Sequence, residues 1–405
     1  MVNFNRYPEL VVVAARALLF APCDHYYDDF ICADLAAGGQ TARKAIDETV
    51  LMLGPGEPRR LREVVRSPEI NPGKTQPAAA SNVVLGVVAD LALAADPLPR
   101  TRFWVDPDRA RLVLDEFRAA FERRVMLPHE ASRLRGKLFF LLSAAFAMIG
   151  RAATLPLVQR QFRDTDYSFV AGSELHECLL FFEALLPELP PLVLHLLPEP
   201  DPPFLVYTDA SFWRTKRRAR EERCSAAFSQ LRGSLGATVY DPRDGTVRSA
   251  SAEPDWAVFL SSRQEDRKTY ITELELLAAI AVYPTYPALF AGRKVNHFID
   301  NTVALSALVH GCSGKPDLAK GVNVFYLQML SLRASVYLDW VPSKVNIADL
   351  PSRGEFRALR AELRGIAGAD APPDHLISPS LASWRAPLRS WAAVRPEAAH
   401  LHMPG

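Results

Sequence analysis

The sequence has few cysteines, and they are not spaced like cysteines that bind metals or form disulfides. Five are scattered without a Cys-x-x-Cys pair, at Cys23, Cys32, Cys178, Cys224 and Cys312. This distribution argues against a disulfide framework and against a structural zinc site. We therefore expect reduced thiols in an intracellular protein.

Long apolar runs and a secretory leader are also missing. No stretch approaches the ~18 apolar residues of a membrane span. The chain begins Met-Val-Asn-Phe-Asn-Arg-Tyr-Pro, which lacks the basic and apolar regions of a signal peptide. The sequence therefore predicts a soluble, intracellular chain without membrane partners, and it does not distinguish cytoplasm from nucleus.

A large excess of charge of one sign is absent as well. The 47 Lys and Arg residues nearly balance the 46 Asp and Glu residues, so the formal net charge is only +1. Affinity for a polyanion would have to come from local basic patches. With 49% hydrophobic and 23% charged residues over 405 positions, the composition is typical of a globular protein of two or three domains.

Four acids of the C-terminal half each lie at the edge of an apolar segment. They are Asp209 after Phe204-Leu-Val-Tyr-Thr, Glu275 before Leu-Leu-Ala-Ala, Asp300 after Phe-Ile, and Asp349 after Asn-Ile-Ala. A single carboxylate at such a place is usually a helix cap or a surface group. Several that converge on one point are typical of a site for divalent metal ions.

The pattern around these acids predicts a mixed sheet with flanking helices. Strands are expected at 205–209, 236–240, 246–250, 294–300 and 335–341, with a further antiparallel strand at 256–260. A helix capped by Thr272 would carry Glu275 as its third or fourth residue. Asn301 would start the next helix, a further helix would cover 318–332, and Asp349 would open the last one.

Glu273 competes with Glu275 for a place in the site. The two residues are roughly 200° apart around a helix, so they cannot both face the same metal. The local pattern Glu-Leu-x-Ala favours Glu275.

The N-terminal part contains a second acidic pair, in His25-Tyr-Tyr-Asp-Asp-Phe30. Two adjacent carboxylates between apolar segments suit the turn of a β-hairpin, where Asp28 could face a metal while Asp29 points elsewhere. An exposed turn without a catalytic role is the alternative. Pro72-Gly-Lys74 and Leu85-Gly86-Val87 follow further along.

Helices are predicted between residues 96 and 203, at 106–124, at 129–149 and after Gly150. Their basic residues include Arg133, Arg135, Lys137 and Arg151, which either form a solvated face or bind nucleic-acid phosphates. The same alternatives apply to the basic stretch 214–232, which lengthens the loop after the first strand. The Leu- and Pro-rich stretch 179–197 would be a boundary before the last domain.

These motifs together resemble the C-terminal part of a retrotransposon reverse transcriptase/ribonuclease H polyprotein. Asp209-Ala-Ser, Glu275-Leu-Leu-Ala, Ile-Asp300-Asn and Trp340-Val-Pro-Ser-Lys-Val-Asn-Ile-Ala-Asp349-Leu-Pro-Ser-Arg are similar to the ribonuclease H of Ty3/Gypsy- and DIRS-like elements. Tyr26-Tyr27-Asp28-Asp29 looks like the metal hairpin of the polymerase palm. Lys74 resembles a lysine near the incoming nucleotide, and Leu85-Gly86-Val87 resembles the primer grip.

The resemblance implies an α+β or α/β multidomain chain. Its parts would be a partial palm (1–95), a helical thumb and connection (96–203), a ribonuclease H-like domain with a five-stranded mixed sheet (204–363) and an Ala- and Pro-rich tail (364–405). The strand with the other polymerase aspartate would lie upstream of Met1, so Tyr27, Asp28, Asp29 and Lys74 form a polymerase remnant.

The resemblance also implies an activity. Asp209, Glu275, Asp300 and Asp349 would bind two Mg²⁺ ions, with Mn²⁺ as an alternative, and would hydrolyse RNA in RNA–DNA hybrids. Arg133, Arg135, Lys137 and Arg151 would contact template–primer phosphates. Other parts of a retroelement polyprotein are candidate partners.

Two departures from the family pattern leave other interpretations open. The loop 342–347 lacks the histidine that many ribonucleases H have there, and His310 is the nearest in sequence. A catalytically inactive nucleic-acid-binding remnant is one alternative, and an RNA-directed DNA polymerase completed by upstream sequence is another. A proofreading exonuclease is disfavoured, because Asp209-Ala-Ser replaces the Asp-x-Glu of that branch.

Overall fold

The computed structural model describes residues 79–84, 86–95, 97, 99–143, 148–197, 201–214, 231–261, 269–379 and 381, with shorter pieces at 12–13, 16–17, 23–26, 29–32 and 44. The chain forms two compact units, Met1–Ala92 and Leu93–Gly405. It is an α+β protein with antiparallel and mixed sheets. Among the described residues, none of the helices has both the length and the apolar character needed to cross a membrane.

The described strands of the first unit form two antiparallel hairpins. β1 (Cys23–Tyr26) pairs with β2 (Asp29–Cys32), and β3 (Ser81–Val84) pairs with β4 (Val87–Asp90). Tyr26 is the register partner of Asp29, so the hairpin predicted around the acidic pair is present. Of the polymerase-remnant residues, Tyr27, Asp28 and Lys74 lie outside the described residues, and Asp29 is the first residue of β2.

The second unit begins with two paired strands and a group of helices. β5 (Arg100–Val105) pairs with β6 (Leu192–His195). The α-helices described between them are α1 (Pro107–Glu122), α2 (Pro128–Ser143), α3 (Leu155–Phe162) and α4 (Glu174–Leu185). Asp106 caps α1 by accepting a hydrogen bond from the Asp108 backbone N–H, with Pro107 at the first position, as the sequence predicted.

Helix α4 extends into the stretch 179–197, where the sequence predicted a boundary. Ser173 caps α4 by accepting a hydrogen bond from the His176 backbone N–H, and the helix continues to Leu185. Leu179, Phe182 and Leu185 are buried, so the first part of this stretch belongs to a packed helix, whereas Leu194, Leu196 and Leu197 further along are exposed. The residues that follow it include β6.

Among the described residues the mixed sheet contains six strands, one more than the five that were predicted. They are β7 (Phe204–Arg214), β8 (Leu231–Asp241), β9 (Thr246–Ala252), β10 (Lys294–Ile299), β11 (Ser335–Trp340) and β12 (Asp374–His375). Their spatial order is β11-β10-β7-β8-β9-β12. β10 runs parallel to both of its neighbours, β8 runs antiparallel to both of its neighbours, and β12 is parallel to β9.

The helices of this part of the chain are α5 (Trp256–Ser261), α6 (Ile271–Thr285), α7 (Pro287–Phe290), α8 (Thr302–His310), α9 (Pro316–Leu332), α10 (Asp349–Ser352) and α11 (Phe356–Glu362). α6 packs against β7 and β8, and α9 packs against α6. Every residue of α6 from Glu273 to Tyr283 is buried, which is typical of a central helix.

The expected strand at 256–260 was wrong, since these residues form α5. Asp255 caps the helix, because its Oδ1 accepts a hydrogen bond from the Val258 backbone N–H at 3.1 Å. Phe259 is buried and makes an edge-to-face contact with Tyr270. The periodicity of a short apolar run does not distinguish a strand from a buried helix. Here the Asp255 cap favours the helix.

Part of the segment predicted to be a loose tail belongs to the fold. β12 extends the sheet beside β9, and the Val247 backbone N–H donates a hydrogen bond to Ala367 O. Leu376 is buried. The short helix predicted near 381–391 lies outside the described residues except for Leu381.

The first helices of this unit also pack against the helices that flank the mixed sheet. Arg151 Nη1 donates a hydrogen bond to His310 O at 3.1 Å, and Gly311 lies against Met148. α9 contacts the 3-10 turn Ala152–Thr154. The two parts that the sequence divided at residues 203 and 204 therefore belong to one compact unit.

Candidate metal centre

Two acids meet where parallel strands β7 and β10 run side by side. Thr208 is the register partner of Ile299, so Asp209 and Asp300 follow at equivalent positions of the two strands. Successive side chains of a strand alternate between the two faces of the sheet. Asp209 and Asp300 therefore project on the same face.

The third acid, Glu275, comes from α6. One carboxylate oxygen each of Asp209, Glu275 and Asp300 lies within 4.8 Å of the others. The structure thus places Glu275, and not Glu273, beside the two strand acids. Glu273 is also buried but lines a small space with Asp317 and Leu318.

The start of α6 differs from the sequence prediction. The helix begins at Ile271, so Glu275 is its fifth residue rather than its third or fourth. Thr272 is not the cap; Thr269 Oγ1 accepts a hydrogen bond from the Ile271 backbone N–H instead. A cap at Thr272 would have left Ile271 outside the helix, whereas Ile271 is its first residue.

Two oxygens of this cluster have no hydrogen-bond partner within the part of the chain that the structure describes. Glu275 Oε2 and Asp300 Oδ1 are both buried and unpaired. Buried polar atoms are rarely left in this state in native proteins, because the loss of hydration is uncompensated. Three neighbouring carboxylates, two of which have an unpaired oxygen, fit a hard divalent cation such as Mg²⁺ or Mn²⁺, which prefers oxygen ligands.

The crowding of these acids changes their pKa values. Burial raises the pKa of Glu275 well above its usual range, and the charges of Asp209 and Asp300 raise it further. Burial also raises the pKa of Asp209 to about 6, with contributions from the charges of Asp300 and Asp349, against a hydrogen bond from Ser352 that lowers it. Without a cation, ionising this cluster is unfavourable.

The raised pKa of Asp209 predicts how stability depends on pH in EDTA. In the unfolded chain an aspartate titrates near pH ~3.9, whereas in the folded chain the pKa of Asp209 is about 6. Protonated Asp209 therefore contributes its full stabilisation below about pH 4. As the pH rises through about 6 this contribution is lost, and the free energy of unfolding falls by on the order of 3 kcal/mol. Urea denaturation of the wild type and Asp209→Asn in EDTA measures this difference. Parallel pH curves for the two proteins would contradict it.

The fourth acid, Asp349, lies beside this group but does not belong to it. It is the first residue of α10; its Oδ1 accepts a hydrogen bond from Arg353 Nε at 2.8 Å and forms an ion pair with Arg353 Nη2, also at 2.8 Å. Its charge still contributes to the raised pKa of Asp209. The structure thus brings three of the predicted acids together and places the fourth nearby in an ion pair.

α10 reaches this position by packing directly on β8. Gly236 is the register partner of Asp209, and an added Cβ at Gly236 would overlap with Ser352 N and would lie 2.7 Å from Ala348 O. Only a residue without a side chain allows the helix to come so close. Gly236 therefore determines how near Asp349 lies to Asp209.

A buried histidine lies next to the site on the opposite face of the sheet. His297 Nε2 is hydrogen-bonded to Thr208 Oγ1 at 2.8 Å, and its Nδ1 to Tyr283 Oη at 2.9 Å. Burial lowers the pKa of His297 to about 3, so the ring is neutral. It links β10 to β7 and α6 as a structural group. His310, the histidine considered from the sequence, is exposed at the end of α8.

The basic residues predicted to bind nucleic acid all have partners within the protein. Arg133 and Lys137 of α2 both form ion pairs with Glu116 of α1, at 2.8 and 2.6 Å. Arg135 and Arg151 both lie over the ring of Phe139. Phosphate binding by these four residues stays a prediction. The basic residues 215–230 lie outside the described residues.

Sequence reasoning missed the residues that support the acids. Ser211, Asn346 and Ser352 hydrogen-bond around Asp209. All three lie within the motifs that carry the resemblance. Their polar side chains close to the acids in sequence could have indicated that they support those acids.

The amino-acid sequence matches no protein-family model, and no curated protein is similar to it. Function therefore has to be inferred from the chemistry of the site.

Proposed function

We propose that this chain is a metal-dependent ribonuclease H-type hydrolase, which cleaves the RNA strand of RNA–DNA hybrids and derives from a retroelement reverse transcriptase. The observation that carries the proposal is the group of Asp209, Glu275 and Asp300, in which Glu275 and Asp300 each have a buried oxygen without a hydrogen-bond partner among the described residues. The arrangement of the strands supports it: three antiparallel strands precede the helix–strand–helix–strand order that the resemblance implies.

The residues present account for the roles that such a reaction needs. Asp209 and Asp300 would share a divalent cation, and Glu275 would complete its ligands from the helix. Asp349 would help to hold a second cation, which requires that its exposed ion pair with Arg353 open; such pairs are worth only ~0–1 kcal/mol. When bound, the cations lower the pKa of an attacking water and stabilise the leaving oxygen. No side chain has to act as a nucleophile.

The ligand set favours Mg²⁺ or Mn²⁺ over softer metals. All the proposed ligands are carboxylates, and the structure groups no cysteine or histidine with them among its described residues. Carboxylate oxygens suit Mg²⁺ and Mn²⁺, whereas thiolate and imidazole ligands suit zinc.

An inactive nucleic-acid-binding remnant is the second candidate. The ion pair between Asp349 and Arg353 favours it, because it occupies one oxygen of the fourth acid. The absence of histidine from residues 342–347 favours it too. The hairpin β1–β2 is compatible with a polymerase palm, but a two-metal polymerase site needs a further carboxylate strand.

The test is an assay of the purified full chain with an end-labelled RNA, annealed to DNA or left single-stranded. We expect internal cleavage of the RNA in the hybrid with Mg²⁺ and none in EDTA, because the cation supplies the activated water. The single-stranded RNA is expected to remain intact. Binding of the hybrid without any Mg²⁺-dependent cleavage would favour the remnant.

A further inference from the structure

The short helix α10 is tied to β7 on both sides of the proposed metal ligand Asp209. Ser352, the last residue of α10, is fully buried. Its Oγ donates a hydrogen bond to Asp209 Oδ2 at 2.5 Å, and its backbone oxygen accepts one from Ser211 Oγ at 2.7 Å. Asp209 and Ser211 are two residues apart on one strand and so share a face. A single residue of α10 therefore contacts both.

Asn346 fixes the segment that leads into α10. Its Nδ2 donates a hydrogen bond to Thr208 O at 3.0 Å, and its Oδ1 accepts one from the Ala348 backbone N–H. The Asp349 backbone N–H donates to Asn346 O at 3.0 Å. Asn346 is buried. The backbone on which Asp349 begins is thus held against the residue that precedes Asp209.

This arrangement links two of the proposed ligands through four residues of chain. Asp349 is the first residue of α10, and the hydroxyl that holds Asp209 is on its last residue. A hydrogen bond to one oxygen of a carboxylate restricts the rotation of the group and determines where its other oxygen lies. Groups that orient metal ligands in this way typically contribute about 10–100-fold to metal affinity or activity.

We propose that Ser352 is the positioning residue of the cation site: its hydroxyl orients Asp209 for a divalent cation and couples that orientation to the placement of Asp349. The inference deepens the proposed hydrolase function and rests on it. It assigns to Ser352 an effect on metal affinity, transmitted through Asp209, and no contact with the RNA.

A purely structural role for Ser352 is the competing explanation. Its Oγ also lies 2.9 Å from Asp349 O, which would close the turn of α10. Removing a hydroxyl with only that role would lower stability without changing the concentration of cation that the protein needs. Metal affinity and thermal stability therefore separate the two explanations.

The experiment compares wild type, Ser352→Ala and the control Ser343→Ala, all as full chains. Ser343 is an exposed serine of the same connecting segment. Binding of Mn²⁺ is measured from the electron paramagnetic resonance of the free ion. Hybrid cleavage is measured over a range of Mg²⁺ concentrations, and melting temperature is measured in EDTA.

We expect Ser352→Ala to bind Mn²⁺ about tenfold more weakly. We also expect its half-saturating Mg²⁺ concentration to rise by a similar factor, with most of the cleavage rate recovered at high Mg²⁺. Ser343→Ala should match the wild type. Wild-type Mn²⁺ affinity in folded Ser352→Ala would overturn the inference. If Ser352→Ala shows no melting transition, Ser352→Cys replaces it, because the thiol is a weaker donor, and unchanged affinity in that variant would overturn it equally.

Different results would contradict the hydrolase proposal and the proposed role of Ser352. A wild type that binds Mn²⁺ but cleaves no hybrid would end the hydrolase proposal, while the affinity difference between the serine variants would still be measurable. A wild type that binds no Mn²⁺ would end both.

Discussion

Replacing Asp300 with asparagine is expected to abolish Mg²⁺-dependent cleavage of the hybrid while the fold stays intact. Asparagine preserves the size of the side chain but removes the charge that, under the proposal, would share the cation with Asp209. Asp300 Oδ1 is buried and has no partner among the described residues, which agrees with its proposed role as a ligand. We expect the rate to fall at least about 10³-fold, which corresponds to ~4 kcal/mol of transition-state stabilisation.

The same substitution should stabilise the protein in EDTA. The charge of Asp300 raises the pKa of both Asp209 and Glu275, which means that it opposes their ionisation. Asp339→Asn is the matched control, because Asp339 is an exposed acid near the end of the neighbouring parallel strand β11. Asp339→Asn should cleave like the wild type. Equal rates for wild type and Asp300→Asn would contradict the proposed site.

Gly236→Ala is expected to reduce cleavage at least about 100-fold and to destabilise the fold by ~1–3 kcal/mol. The added methyl group would overlap with the backbone of Ser352 and Ala348, and backbone atoms cannot move aside as a flexible side chain does. α10 would have to leave its position on β8. Asp349 would then move away from the cluster, and Asp209 would lose its hydrogen bond from Ser352.

The control for this change is Gly136→Ala, in the middle of α2. Among the described residues, no atom beyond the adjacent residues and the backbone of α2 itself lies within 4 Å of an added Cβ there, and alanine is a better helix former than glycine by ~1 kcal/mol. We expect Gly136→Ala to raise the melting temperature and leave cleavage unchanged. Hybrid cleavage rates and thermal melting in EDTA measure both variants. A Gly236→Ala protein with wild-type activity would show that the docking of α10 does not matter.

The parts of the fold that could be predicted from the sequence are those that residues close together in the sequence determine. Asp106-Pro107 specifies the start of α1, and Asn301 caps α8 by accepting hydrogen bonds from Val303 and Ala304. The choice of Glu275 over Glu273 followed from a local motif, since the helical period shows only that the two cannot share a site. In the structure Glu275 lies beside Asp209 and Asp300.

Other features depend on contacts between residues far apart in sequence. The hydrogen bond from Ser352 to Asp209 joins residues separated by 143 positions, and no local pattern indicates it. β12 is a strand because β9 offers an open edge, although Asp374-His375 has no strand propensity of its own. The ion pair of Asp349 with Arg353 has the four-residue spacing that favours such pairs on a helix. The sequence alone does not show with which residue an acid forms an ion pair.

The contact of Arg151 and Met148 with the end of α8 has a practical consequence for recombinant work. A shortened protein that starts at Phe204 would keep every proposed metal ligand, yet it would lack the chain segment that covers Gly311 and part of α9. The freshly exposed apolar surface would favour aggregation. Biochemical studies of the proposed hydrolytic site should therefore use proteins that retain the chain from Leu93 onward, and a poorly soluble short fragment would say nothing about catalysis.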